Sequence, residues 1–113
     1  MNKFQIGDFL KRILNKKKKN KTLQVSRVGD ISKVNINSGT IYIENRGGKE
    51  RWLYLRCPCG CGDVITVNLM KSVYPHWETS TNGLGGLDIS PSLRKITGCK
   101  SHFFVKNSQI IWF

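Results

Sequence analysis

Residues 51–69 read R-W-L-Y-L-R-C-P-C-G-C-G-D-V-I-T-V-N-L. Arg51 to Arg56 alternates aromatic residues and leucines between two arginines, and reads as the return strand of a hairpin. Cys57-Pro58-Cys59-Gly60-Cys61-Gly62 is a loop of ligand side chains, in which Gly60 and Gly62 allow the backbone to curl so that its amides face the thiols. Asp63 to Leu69 is strand-like again. A strand, a Gly-rich ligand loop and a strand make the shape of a zinc knuckle, and they predict a fold stapled by metal.

The second half of the site lies downstream, in Gly98-Cys99-Lys100-Ser101-His102. The two clusters contain all four cysteines and one of the two histidines. Five candidate ligands follow: Cys57, Cys59, Cys61, Cys99 and His102. One tetrahedral Zn2+ held by two thiolates of the first cluster, with Cys99 and His102, is the simplest account. C-x-x-H spacing makes Cys99 and His102 the firmer half. Spacing does not choose between Cys57, Cys59 and Cys61; the third is a neighbour of the metal shell, a small core residue or a free thiol. A shell of thiolates and imidazole is closed to water, so the metal reads as structural. The two clusters are roughly forty residues apart, and clips that close long loops stabilise most.

Outward from the clusters, strands pair up as hairpins. Residues 40–44 and 51–56 flank turn chemistry at Asn45-Arg46-Gly47-Gly48-Lys49. Residues 77–80 and 87–89 flank Asn82-Gly83-Leu84-Gly85-Gly86. Pro91 reads as a strand terminator, with Ser90 or Ser92 capping a short helical turn through Arg94. Residues 102–106 and 109–113 form a terminal hairpin around Asn107-Ser108. The expected fold is therefore mostly β, a small α+β domain of zinc-ribbon-like antiparallel hairpins around one metal site.

The amino-terminal part differs. Ile6, Phe9, Leu10, Ile13 and Leu14 fall at helical steps over residues 3–15. A Lys-rich run follows at 15–21. Residues 1–27 are read as a basic amphipathic helix and arm, and 28–113 as the zinc-binding β domain. Net charge is +12, and residues 1–28 supply +8 of it, nine bases against Asp8; the remaining ten bases and six acids give +4. High pI thus reports the arm more than the domain. It admits an arm, residues 1–21, that binds nucleic acid or anionic lipid. No signal peptide and no membrane-spanning run is visible, so the expected compartment is the cytoplasm, where thiols stay reduced and bind metal.

Catalytic signatures are sparse. There is no H-E-x-x-H and no deaminase H-x-E. A Ser–His–Asp arrangement is read as having to use His76, with no nucleophile elbow in sight. No catalytic residue is assigned, and the reading leans away from an enzyme. A spare cysteine beside Arg56 is the one route kept to thiol chemistry. Trp52 and Tyr54 share a strand face that reads as core before it reads as a base-stacking platform.

C-P-C-G-C-G (57–62), Trp77, L-D-I-S-P-S-L (87–93), G-C-K-S-H-F-F-V (98–105) and a closing I-I-W-F together resemble a small bacterial family without an assigned activity. Its members carry a C-x-C-G-C-G loop and a C-x-S-H-aromatic segment. Some are encoded beside ubiquitin-like conjugation genes. The resemblance spans about residues 28–113. It implies a metal-binding accessory or ligase-like adaptor, with Cys57, Cys59, Cys61, Cys99 and His102 as the site and a ubiquitin-like protein or conjugating enzyme as partner. It also implies that Pro91-Ser92 is a shaped turn supporting that site. The sequence therefore predicts a structural-zinc protein-interaction module, with nucleic-acid binding through the arm and thiol-dependent catalysis as the alternatives.

Overall fold

A computed structural model describes residues 22–113. The helix expected over 3–15 and the Lys-rich run lie outside the described residues. Eight strands form two four-stranded sheets. The first sheet contains β1 (Gln24–Val28), β2 (Thr40–Arg46), β3 (Lys49–Arg56) and β4 (Val64–Asn68), in that order. The second contains β5 (Glu78–Thr81), β6 (Leu87–Arg94), β7 (His102–Lys106) and β8 (Gln109–Trp112), also in order. The three expected hairpins are present as β2–β3, β5–β6 and β7–β8, all antiparallel.

Period-two patterning decides which faces meet. Ile41 and Ile43 of β2, Leu53 and Leu55 of β3 and Val67 of β4 point inward from the first sheet. Leu87, Ile89 and Leu93 of β6, Phe103 and Val105 of β7 and Ile110 of β8 come from the second; all of these lie in one buried apolar cluster. Each such side chain contributes roughly 1.5–3 kcal/mol on burial. Leu69 and the half-buried Trp77, at either end of the β4–β5 connection, join the same cluster.

Two features depart from the sequence reading. The first is β1, which pairs parallel to β2 from Gln24↔Thr40 to Val28↔Glu44, so the sheet begins ahead of residue 28. A parallel neighbour requires a crossover rather than a tight turn. Residues 29–39 supply it, with a 3-10 turn at Ile31–Lys33 capped by the Asp30 carboxylate. The crossover also covers the outer side of β2: Ile31 N–H donates to buried Glu44 at 2.9 Å, and Asn37 N–H donates to the Tyr42 hydroxyl at 3.1 Å.

The second departure is β6. It continues through Pro91 to Arg94 and forms no helical turn. The register against β7 shifts between Ile89↔Val105 and Leu93↔Phe103, so Ser90, Pro91 and Ser92 stand against Phe104 alone. Proline lacks a ladder donor, but a bulge does not need one, so the strand passes through it.

Candidate functional site

The ligand loops meet at one end of the two sheets. At the end of β3 the Cys57 N–H donates to Asp63 O at 2.8 Å, closing the first loop. Gly60 and Gly62 have φ of +89° and +90°, a conformation that a side chain would strain. Arg56 braces the loop from below, its guanidinium donating to Ile36 O and Gly62 O at 2.7 Å each. Lys95 and Asp63 tie this loop to the β6–β7 connection through an ion pair of 2.8 Å.

All four cysteines converge there. Their sulfur atoms lie within 4.8 Å of one another. Cys57 Sγ is 3.4 Å from Cys59 Sγ and 3.6 Å from Cys99 Sγ, while Cys61 Sγ is 3.7 Å from Cys99 Sγ. A tetrahedron with metal–sulfur bonds of about 2.3 Å requires sulfur–sulfur spacings of roughly 3.8 Å. The donor set therefore fits a tetrathiolate metal site. No cysteine is left outside it, so the third member of the first loop needs no separate role.

Electrostatics across the group are uneven. Burial pushes the Cys57 thiol up to about 12. A hydrogen bond with the Ser101 hydroxyl, 3.1 Å away, is the main influence bringing Cys99 down to about 6. Ser101 is also the main influence lowering Cys59. For Cys61 the Asp63 amide favours the thiolate, but desolvation and the neighbouring thiols outweigh it and the group is raised. Four thiolates this close repel one another, and a cation among them removes that penalty.

His102 goes elsewhere. The structure does not bring it into the sulfur cluster, although it stands only three residues after Cys99. β7 begins at this point, and strand alternation sends successive side chains to opposite faces. Ser101 faces the cysteines, and His102 faces away from them. Its Nε2 lies 2.9 Å from Ser92 Oγ. The ring stacks on Phe113, with centroids 3.6 Å apart and planes inclined by 16°. Phe113 N–H also donates to His102 O at 3.1 Å, fixing the stacked residue to the same strand.

Ser92 comes from the bulge in β6. The irregularity turns its hydroxyl toward the outer face of the second sheet, and the Trp77 indole N–H donates to its carbonyl at 3.1 Å. Both Ser92 and His102 are partly accessible. A serine hydroxyl within hydrogen-bond reach of an imidazole nitrogen is the core of a nucleophile–base pair. Among the described residues no carboxylate hydrogen-bonds the other ring nitrogen; the Phe113 stack is the contact that orients the ring.

The sequence reading makes a Ser–His–Asp set depend on His76 and does not anticipate this Ser92–His102 contact. The His76 ring nitrogen Nδ1 instead lies 3.2 Å from Val73 O. The missed signal was the S-P-S of residues 90–92, a proline inside an otherwise regular strand. It marks a bulge as readily as a strand end. Arg56, beside the first loop, is engaged with two carbonyls, and burial raises the thiol of its neighbour Cys57.

A family described as "Bacterial ubiquitination-like system serine protease (BubE)" matches residues 28–113. No curated protein and no solved structure matches the chain. The chain belongs to that family. It is thereby linked to bacterial ubiquitin-like systems, as the sequence resemblance implied, and protein partners follow from that membership. Among the described residues no helix is long and apolar enough to cross a membrane.

Proposed function

We propose that this protein is a serine hydrolase that cleaves a peptide or isopeptide bond next to a ubiquitin-like protein, with Ser92 as nucleophile and His102 as general base. The observation that carries the reading is the 2.9 Å contact between Ser92 Oγ and His102 Nε2 on the open face of the second sheet. The family description points to the same chemistry.

The steps follow from the two side chains. His102 Nε2 takes the hydroxyl proton as Ser92 Oγ attacks the substrate carbonyl carbon. The carbon–nitrogen bond then breaks, and the imidazolium returns that proton to the leaving amine. A water, deprotonated by the same nitrogen, hydrolyses the acyl–serine ester and frees the carboxylate. Phe113 holds the imidazole plane, one part of what a buried carboxylate does in other serine enzymes. Trp77 anchors the Ser92 carbonyl and so limits how far the bulge can move.

Zn2+ bound by Cys57, Cys59, Cys61 and Cys99 is a structural part of the same proposal. When present it supplies a cross-link between the β3–β4 and β6–β7 connections. The spacing of the four sulfurs supports this tetrathiolate set over one that includes His102. In this reading the cysteine loop keeps the zinc-ribbon-like knuckle, and the metal sets where β7 begins. The chain is then an enzyme of the system more than an adaptor, although both roles require a ubiquitin-like partner. The nucleic-acid alternative uses residues 1–21, which lie outside the described residues, together with a rim of Arg56 and Lys100, and the Arg56 guanidinium is engaged with two backbone carbonyls.

The test is cleavage of the ubiquitin-like protein of the same system carrying a carboxyl-terminal extension, with fluorophosphonate labelling in parallel. The expected result is cleavage and labelling that both vanish in Ser92→Ala. Cleavage that persists in Ser92→Ala removes the proposal.

A further inference from the structure

The hydrogen-bonding phase of the second sheet leaves an open segment beside the Ser92–His102 pair. Phe113 N–H donates to His102 O, so His102, Phe104 and Lys106 turn their backbone groups toward β8. Alternation then turns Ser101, Phe103 and Val105 toward β6. Lys95 N–H donating to Ser101 O at 2.8 Å agrees with this. On β6, Leu93 and Ile89 therefore serve β7, whereas Asp88, Ser90 and Arg94 turn outward to the side where β5 runs. Asp88 and Ser90 find partners there in Ser80 and Glu78. β5 begins at Glu78, so it stops short of Arg94.

Arg94 stands opposite His102, whose own backbone groups turn toward β8, so the ladder phase turns the Arg94 N–H and C=O away from β7, and among the described residues no turn, loop or β5 residue is placed to meet them. They lie on an exposed residue two positions from Ser92, in line with β5. Ahead of β5, Trp77 turns toward the first sheet, donating its own N–H to Asn68 O at 2.9 Å. Its indole then occupies the place beside Ser92 O.

We infer that this open edge of β6 is the substrate track, on which an extended segment of the protein substrate pairs with the Arg94 backbone as a short added strand in line with β5. The inference deepens the serine-hydrolase reading and rests on it. An incoming strand satisfies the Arg94 donor and acceptor together, which a helix or a folded surface cannot do, because their own backbone groups are already paired. The Trp77 indole blocks the slot beside Ser92. A segment paired at Arg94 is therefore turned up onto the outer face, where Ser92 Oγ and His102 stand. A residue directly opposite Arg94 shares that face, so the guanidinium favours an acidic side chain there. The substrate class is thus an extended, flexible tail rather than a folded-domain surface.

The probe is a fluorescent peptide of about ten residues from the carboxyl terminus of the ubiquitin-like protein, roughly two strand lengths. Its binding to Ser92→Ala protein is read by anisotropy. Arg94→Pro removes an N–H that takes no part in the β6–β7 ladder, and melting temperature and metal content report whether the fold is kept. Binding is expected to fall by at least about tenfold in this variant. Arg94→Ala keeps the backbone donor and stays within about fivefold of its parent. Methylating the peptide amides one at a time is expected to weaken binding at one or two alternate positions only. That scan uses the unaltered edge, so it decides the matter even if Arg94→Pro fails to fold. Equal binding by Arg94→Pro, an even response across the methyl scan, or no binding by the Ser92→Ala parent overturns the proposal. Fluorophosphonate labelling of the wild-type chain separates this failure from that of the Ser–His reading. A labelled enzyme with an unresponsive edge loses only the track.

Discussion

Cys99 and His102 are three residues apart, yet their side chains meet different neighbours. Cys99 closes a group of four sulfurs, and His102 meets a serine from a bulge on β6. The difference is one of local backbone. Cys99 lies in a turn that contains positive φ at Gly98 and Lys100, so its side chain is free to reach back to the first loop. His102 is the first residue of β7, and the strand dictates its face. Ser101 between them contacts Cys57 and Cys99 and marks the change from one regime to the other. Proximity in sequence is therefore a poor guide wherever a loop hands over to a strand.

The comparison predicts that the two sites fail in different ways. Cys57→Ala or Cys99→Ala should remove the metal and unfold the domain, read as loss of bound zinc and of a cooperative thermal transition. Structural zinc binding is worth about 10–16 kcal/mol in small zinc-finger peptides, more than the typical stability of a domain. Retention of zinc at full occupancy in both variants would break the tetrathiolate side of the comparison.

Ser92→Ala and His102→Ala should do the converse. Cleavage is expected to drop by on the order of a thousandfold or more, because residues of such a pair act as one unit. Zinc content should stay at that of the parent. Loss of zinc in His102→Ala would return the histidine to the metal and erase the distinction.

A smaller effect sharpens the catalytic side. Phe113→Ala removes the stack that orients the imidazole, and kcat should fall by about tenfold, near 1.4 kcal/mol of barrier. Phe113→Trp should restore most of it, as a purely spacing-dependent contact would not.

The smallest effect concerns the link between the loops. The Lys95 ammonium beside Asp63 holds its carboxyl below the usual 3.8, first by hydrogen bonding and then by charge. A lowered folded value means that the stabilisation is present above the unfolded pKa and is lost as pH falls through the folded one. Lys95→Ala should bring the Asp63 titration back toward its ordinary value, seen by carboxyl NMR. It should also flatten the acid limb of stability only below about pH 4. An unchanged Asp63 titration would show that the ion pair does not hold the loops in solution.

Several elements were legible early because their causes are local. Gly47-Gly48 between two alternating runs gives the β2–β3 hairpin, and both glycines do adopt positive φ, +62° and +79°. Asn107-Ser108 gives the last hairpin in the same way, both residues taking the left-handed conformation. The cysteine loops were legible because four thiols gathered in two short segments have few other uses. β1 was hidden because its partner is β2 in parallel, and a parallel pair has no turn signature to announce it. Ser92 was hidden because Pro91 carries two meanings, strand end or bulge, and only the pairing with β7 distinguishes them.

By itself the sequence determined the strands with tight turns and the gathering of thiols at loop positions, but it read Trp52 and Tyr54 as the core face of β3, where Leu53 and Leu55 point inward instead. The strands and loops depend on side-chain period and on residue-specific backbone freedom, which act over a few neighbours. Only the tertiary structure decided that His102 meets Ser92, that β6 bulges beside that hydroxyl, and that Arg94 stands two residues on, beyond the start of β5. Each of those depends on the register between strands, and register is set by how two faces pack across a shared core.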